Sequence, residues 1–218
     1  MARIPGRRAE AGQACAIVFD LDGVLVDSTQ VVERAWRRWA EEQGVSGDDV
    51  LAVAHGRPAR EVVRLFAPHL NGERQAALLD DWEMRDPEGV APIAGAHECV
   101  AVAGRRRWAI VTSGGWELAT DRLRTVGLAV PEILITADDV TLGKPHPEPY
   151  ERACRDLGVC PADAIAVEDA PAGITAARRA GMTVLAVTTS HAAESLQDAD
   201  LIFSSIQEVS EHLRSTRR

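Results

Sequence analysis

Lysine is almost missing from this chain of 218 residues: of its 24 basic residues, 23 are arginine and Lys144 is the single lysine. A chain that uses arginine for nearly every cation but keeps one lysine marks a place where a compact ammonium does what a planar guanidinium cannot. The alternative is chance survival of a surface residue. Cysteine is scarce too. Cys15, Cys99, Cys154 and Cys160 make no CxxC pair and no zinc spacing, and they read as reduced, mostly buried thiols in a cytoplasmic setting. Positive charge is in deficit: a formal net charge of -9 argues against nucleic acid as a partner, and the Arg105–Arg107 run reads as a solvated helix end or turn. No segment reaches the roughly 18 apolar residues of a membrane span, so no membrane partner is expected. Residues 1–14 carry Arg3, Arg7 and Arg8 but no apolar h-region, and read as a flexible tail in place of a signal peptide. There is no internal repeat and no low-complexity tract. With 46% apolar and 26% charged residues, the chain is of ordinary globular composition and suits one domain, or one domain with an insertion.

What the chain does have is concentrated in Cys15–Ser28, CAIVFDLDGVLVDS. The apolar run into Phe19 fits a strand buried on both faces, and its exit places Asp20 and Asp22 on either side of Leu21. Two carboxylates that close resist ionising together unless a cation neutralises them. The pair therefore points to a bound metal or to a division of acid and base duties.

Gly23–Val26 reads as a turn or flap. Asp27 or Ser28 can then cap a helix over 29–43, whose apolar face is Val31, Val32, Ala35, Trp36, Trp39 and Ala40 and which Gly44 closes. More helices are expected over 48–54, 58–67 and 73–85. From Pro92 helices and strands alternate: helix 95–103, strand 108–112, helix 116–126, strand 133–136, a proline-rich loop through Lys144 and a helix to Leu157. Strand 164–167, helix 171–180, strand 183–187 and a short strand and helix from Leu201 complete the series. This pattern predicts an α/β fold with a Rossmann-like, mostly parallel sheet. The expected organisation is a tail at 1–14, an α/β catalytic core from 15–28 and 91–218, and a helical cap inserted at 29–90.

In an open parallel sheet the carboxyl ends of the strands line one crevice. Here they carry Asp20 and Asp22, then Thr112-Ser113-Gly114-Gly115, then Lys144-Pro145 and Glu168-Asp169. A nucleophile, a hydroxyl, an ammonium and a carboxylate pair would converge. Taken singly, each has a plainer reading: Asp20 and Asp22 as paired caps, Ser113 as a turn hydroxyl, Glu168-Asp169 as a helix N-cap pair.

The runs FDLDGVLVDS, VTSG, the Lys-Pro pair and VEDAPAGI resemble the four motifs of the haloacid dehalogenase superfamily, in the branch with a helical cap after the first strand. Within it, HGRPAREVVRLFAP, WAIVTSG and ITADDVTLGKPHPEPY are similar to the small sugar and polyol phosphate phosphatases, such as those acting on 2-deoxyglucose 6-phosphate and glycerol 3-phosphate. The resemblance implies a Mg²⁺-dependent phosphomonoesterase working through an aspartyl phosphate on a small phosphorylated metabolite. Asp20 would be the nucleophile, and Asp22 the general acid and then base. Asp20, the backbone carbonyl of Asp22 and Asp169 would hold Mg²⁺, with Glu168 a direct or water-mediated ligand. Ser113 and Lys144 would bind the phosphoryl group, and Gly114 would offer a backbone amide. His55 and Arg57, in a cap loop, are either contacts to the leaving group or exposed residues with no role. Asp139 reads as a solvated loop acid, His146 as a loop residue, and Trp116 and Tyr150 as packing.

The same resemblance admits a sugar phosphomutase like the β-phosphoglucomutases, which share every core motif, although PHPEPY after Lys144 is closer to the phosphatases. A dehalogenase would lack Asp22. A phosphonate hydrolase would need an amine in the cap, and no lysine occurs between 29 and 90. A binding module on a dead fold would have lost a motif residue, and none is missing.

Overall fold

The computed structural model describes residues 14–54, 56–104 and 106–215; the expected tail at 1–13 and His55 lie outside the described residues. In chain order, strand β1 (Ala16–Phe19) is followed by β2 (Val26–Asp27) and then by helices α1 (Thr29–Gln43), α2 (Gly47–Ala54), α3 (Ala59–Phe66) and α4 (Gly72–Arg85). Next come β3 (Ala91–Pro92), α5 (Ala96–Ala103), β4 (Arg107–Val111), α6 (Trp116–Thr125), β5 (Leu134–Ile135) and α7 (Glu148–Asp156). The chain continues through β6 (Ala164–Glu168), α8 (Pro171–Ala180), β7 (Thr183–Val187) and β8 (Leu201–Phe203) to α9 (Ile206–Ser215).

Six strands form one sheet in the order β5-β4-β1-β6-β7-β8, and every pairing in it is parallel. Because strand side chains alternate between faces, a strand covered on both sides must be apolar at every position. Ile17 and Phe19 of β1 pack with Cys99 of α5, Leu123 of α6 and Val209 of α9. Ala16 and Val18 face the other layer, with Tyr150 and Cys154 of α7 and Ile174 of α8. The sheet residues of this second layer include Ala109, Ala164, Ala166 and Ala186, small side chains that leave room for the Tyr150 ring. Ala14, placed in the tail by sequence reading, is already buried in the first layer. Of the cysteines, Cys99 and Cys154 are buried whereas Cys15 and Cys160 are exposed, so burial holds for only half of them. Among the described residues, no helix is long and apolar enough to cross a membrane.

Helices α1 to α4 bury a cluster of their own around Trp36, Trp39, Val50, Leu51, Val62, Val63 and Leu79. They join the sheet through an antiparallel ribbon that pairs Val26 with Pro92 and Asp27 with Ala91, an element the sequence reading missed. The start of α1 divides the expected capping between two residues. Asp27 Oδ1 accepts from the Thr29 amide at 3.1 Å, while the Ser28 hydroxyl turns inward to Asp22. Gly44 ends α1 at φ 68°, a left-handed conformation that costs glycine little.

Candidate active site

β1 lies at the centre of the sheet, flanked by β4 and β6, so its carboxyl end opens at the point where successive connections run to opposite sides. Asp20 sits there, buried, its amide bonded to the Val167 carbonyl of β6 at 2.9 Å. Its Oδ1 accepts from the Leu21 amide and pairs with Lys144 Nζ, both at 2.8 Å.

Lys144 is the most informative residue of the site. Its ammonium is 1% exposed and meets three acceptors: Asp20 Oδ1 at 2.8 Å, Glu168 Oε1 at 2.7 Å and the Val111 carbonyl at 3.2 Å. Three acceptors for three N–H groups saturate it; burial works against its charge, but the flanking carboxylates together outweigh burial and hold its pKa above the ordinary lysine range. The loop that carries Lys144 is pinned from two sides. Glu148 accepts from the Thr141 and Leu142 amides at 2.8 and 3.0 Å. Arg60, reaching across from α3, donates to the carbonyls of Ala137, Val140 and Thr141 at 2.9, 3.1 and 3.2 Å.

Glu168 is fully buried and its carboxylate is also saturated. Oε1 accepts from Lys144 and from the Tyr150 hydroxyl at 2.5 Å; Oε2 accepts from the Asp169 and Ala170 amides at 3.1 and 3.4 Å. Tyr150, expected only to pack, thus packs and also donates. Asp169 Oδ2 accepts from the Ser190 hydroxyl, but its Oδ1 is buried with no hydrogen-bond partner. Carboxylate oxygens of Asp20, Glu168 and Asp169 all lie within 4.8 Å of one another. Burial and the neighbouring carboxylates push Asp20 up to about 7 and Asp169 well above its ordinary value. Three buried carboxylates against one ammonium leave surplus negative charge. With an orphan oxygen on Asp169, that donor set fits a hard divalent cation.

Asp22 is less buried and looks toward the cap. Its Oδ1 accepts from Ser28 Oγ and pairs with Arg122 Nη1, each at 2.8 Å, and its Oδ2 is 3.5 Å from Thr112 Oγ1. Arg122 was not foreseen. It lies buried on α6 and joins Asp22 to Glu83 of α4, through Nη1 and Nη2 respectively. Glu83 is pushed up to about 7 by its burial, which outweighs Arg122. Asp80, one turn earlier on α4, accepts from the Gly115 amide at 3.2 Å, and burial raises it to about 6. An arginine beside Leu118, Ala119 and Leu123 on a buried stripe was the available signal; nothing in the pattern of α4 set Glu83 apart.

Of the other expected site residues, Ser113 donates to the Gly56 carbonyl of the cap loop at 3.1 Å. The Gly114 amide is turned to Thr112 Oγ1 at 3.2 Å. Arg57 lines the same cavity as Asp20, Asp22, Ser113, Gly114 and Asp169. Asp139, read as solvated, instead closes a capping box with Thr136 and pairs with Arg152 at 3.2 Å. The loop after β7 supplies Ser190 and also Thr189, whose hydroxyl donates to the Gly23 carbonyl.

A family model described as haloacid dehalogenase-like hydrolase matches residues 17–187. The chain belongs to this family. It is 42% identical over 200 residues to validoxylamine A 7'-phosphate phosphatase of Streptomyces hygroscopicus subsp. limoneus, covering 88% of this chain and 94% of that one. It is 36% identical over 200 residues to hexitol phosphatase A of Escherichia coli (strain K12), covering 88% and 91%. The crystal structure of a hydrolase from Pseudomonas syringae superposes with a TM-score of 0.83 at 23% identity, over 92% of this chain and 98% of that one, which establishes the shared fold. As a haloacid dehalogenase-like hydrolase the protein is an enzyme, and its α/β fold is the one the motifs implied.

Proposed function

We propose that this hydrolase is a Mg²⁺-dependent phosphomonoesterase acting on a small sugar or polyol phosphate. The observation that carries the reading is Lys144 locked between Asp20 and Glu168, with Asp20 and Asp22 both lining one cavity. Asp20, Asp169 and the backbone carbonyl of Asp22 would hold the cation. Glu168, its lone pairs taken by Lys144, Tyr150 and two amides, contributes mainly charge to that shell. Bound Mg²⁺ would neutralise phosphoryl oxygens so that one anion can approach another.

The remaining chemistry belongs to the chain's own residues. Asp20 Oδ1 is tied to Lys144 and the Leu21 amide, which leaves Oδ2 to attack phosphorus in line with the ester oxygen. As the phosphorus–ester oxygen bond breaks, Asp22 gives its proton to the departing alkoxide, forming the free alcohol. The Asp22 carboxylate then takes a proton from water. The hydroxide it generates attacks the aspartyl phosphate, releasing inorganic phosphate and restoring Asp20. Ser113 would bind a phosphoryl oxygen by turning its hydroxyl from the Gly56 carbonyl, and Lys144, its three N–H groups already taken, would stabilise the phosphoryl charge through space. The two relatives named above, both phosphatases, support this reading.

Purified protein with Mg²⁺ is expected to release inorganic phosphate from a panel of sugar and polyol monophosphates, and Asp20→Asn is expected to abolish turnover. No release across the panel would overturn the proposal. An isomerised ester in place of phosphate would reassign the enzyme as a phosphomutase.

A further inference from the structure

The cavity above Asp20 is small, about 100 Å³. It reaches under the cap, and there Asp80 and Glu83 of α4 and Arg122 of α6 line it together with the apolar Val32, Trp36 and Leu118. The charge of Arg122 is already divided between Asp22 and Glu83. Its Nε, however, is buried and has no acceptor. Arg57 belongs to the opposite side. Its neighbour Gly56 accepts from Ser113, and a Cβ on Gly56 would press on Ala170 at 2.7 Å, so this loop lies over the phosphoryl-binding end.

We infer, building on the phosphatase reading, that the Asp80–Glu83–Arg122 wall selects a leaving group rich in hydroxyls and bearing no second anionic group. A hydroxyl can donate to a carboxylate of Asp80 or Glu83, whereas the buried Nε of Arg122 is closed to any ligand atom. A carboxylate or second phosphate brought to the same place meets two acids in a poorly solvated space. The guanidinium that would have neutralised it is shared between two carboxylates already. Carbon-bound hydrogens of the chain would rest on the apolar part of the wall.

The test is a matched pair of esters, sorbitol 6-phosphate and 6-phosphogluconate, which differ only in a terminal CH₂OH or carboxylate. With Mg²⁺ at pH 8, kcat/KM is expected to favour the alcohol by about 10- to 100-fold, the size of a close like-charge contact at moderate dielectric. Asp80→Asn and Glu83→Gln are each expected to narrow the ratio, chiefly by improving the carboxylate ester. Asp80 is only half-buried, so its variant remains informative if the Glu83 variant folds poorly. Phosphate release from neither ester, with release from other members of the panel, overturns this inference, whereas no release across the whole panel removes the phosphatase reading with it. Equal kcat/KM for the pair, or a ratio unmoved by both variants, overturns the inference and leaves the phosphatase reading standing.

Discussion

Replacing Lys144 by methionine keeps most of the length of the side chain and removes its charge. Asp20 and Glu168, whose carboxylates lie 2.8 and 2.7 Å from the ammonium, would then be buried without a partner cation. Breaking a buried ion pair by removing one member costs roughly 3–5 kcal/mol, because the surviving charge has lost its solvent and its partner alike. With a urea slope of about 2 kcal/mol per molar, the unfolding midpoint should fall by about 1.5–2.5 M in metal-free buffer. Adding Glu168→Gln to Lys144→Met removes one of the stranded charges while the amide oxygen still accepts from the Asp169 and Ala170 N–H groups and the NH2 can donate to the Tyr150 hydroxyl. The double variant should therefore recover about 1–2 kcal/mol of the loss, a coupling typical of residues in direct contact. Activity should not recover, because the phosphoryl group still lacks its ammonium. Urea melts of the two single variants, the double variant and the parent close this cycle, with phosphate release measured on the same preparations. A Lys144→Met midpoint within about 0.5 M of the parent, or strictly additive variants, would refute the claim that Lys144 and Glu168 act as a unit.

Arg60→Ala strips three loop carbonyls of a buried donor. It should destabilise by about 2–4 kcal/mol and speed proteolytic cleavage around residues 137–142, an effect Arg60→Lys restores only in part. Tyr150→Phe removes the 2.5 Å donor to Glu168 but leaves that carboxylate three others; thermal unfolding should show a loss of about 1–2 kcal/mol, and activity should stay within about tenfold of the parent. Glu83 faces Arg122, Asp80 and Asp22, and its folded pKa of about 7 stands above its ordinary 4.5. Its share of stability is therefore full below pH 4.5 and lost as pH climbs through 7, so the melting-temperature difference between Glu83→Gln and the parent should shift in favour of the variant between pH 5 and pH 8.

The core was legible because its signals are local. A strand buried on both faces must be apolar at every position, so Ala16–Phe19 and Ala164–Val167 announce themselves. Parallel topology then forces the strand exits into one crevice, and Asp20, Asp22, Ser113, Lys144, Glu168 and Asp169 follow from chain position alone. The solitary lysine was the clearest compositional mark, and the structure supplies its physical reason. Three acceptors converge on a point charge at a site with no exposure, and a planar guanidinium would not fit them. The two-residue ribbon of Val26–Asp27 with Ala91–Pro92 was illegible because two residues carry no periodicity.

The contacts between cap and core form the other class of omission, and they share a cause. Arg122, Glu83, Asp80 and Arg60 each sit on a helix whose sequence reads as amphipathic, where a charged residue is assigned to the solvent face by default. What buries them is a second helical layer arriving from elsewhere in the chain, and no window of ten or fifteen residues contains that information. Arg60 spans 77 to 81 positions to reach its carbonyls, and Arg122 meets Glu83 across 39. The residues at the sheet are thus written in contiguous motifs, whereas the cap wall of the cavity is assembled from long-range pairs. On the phosphatase reading, changing one residue of α4 would alter the substrate while leaving FDLDG and VEDAPAG intact. For this reason Asp80 and Glu83, more than the motif residues, are where substrate choice in this chain should be sought.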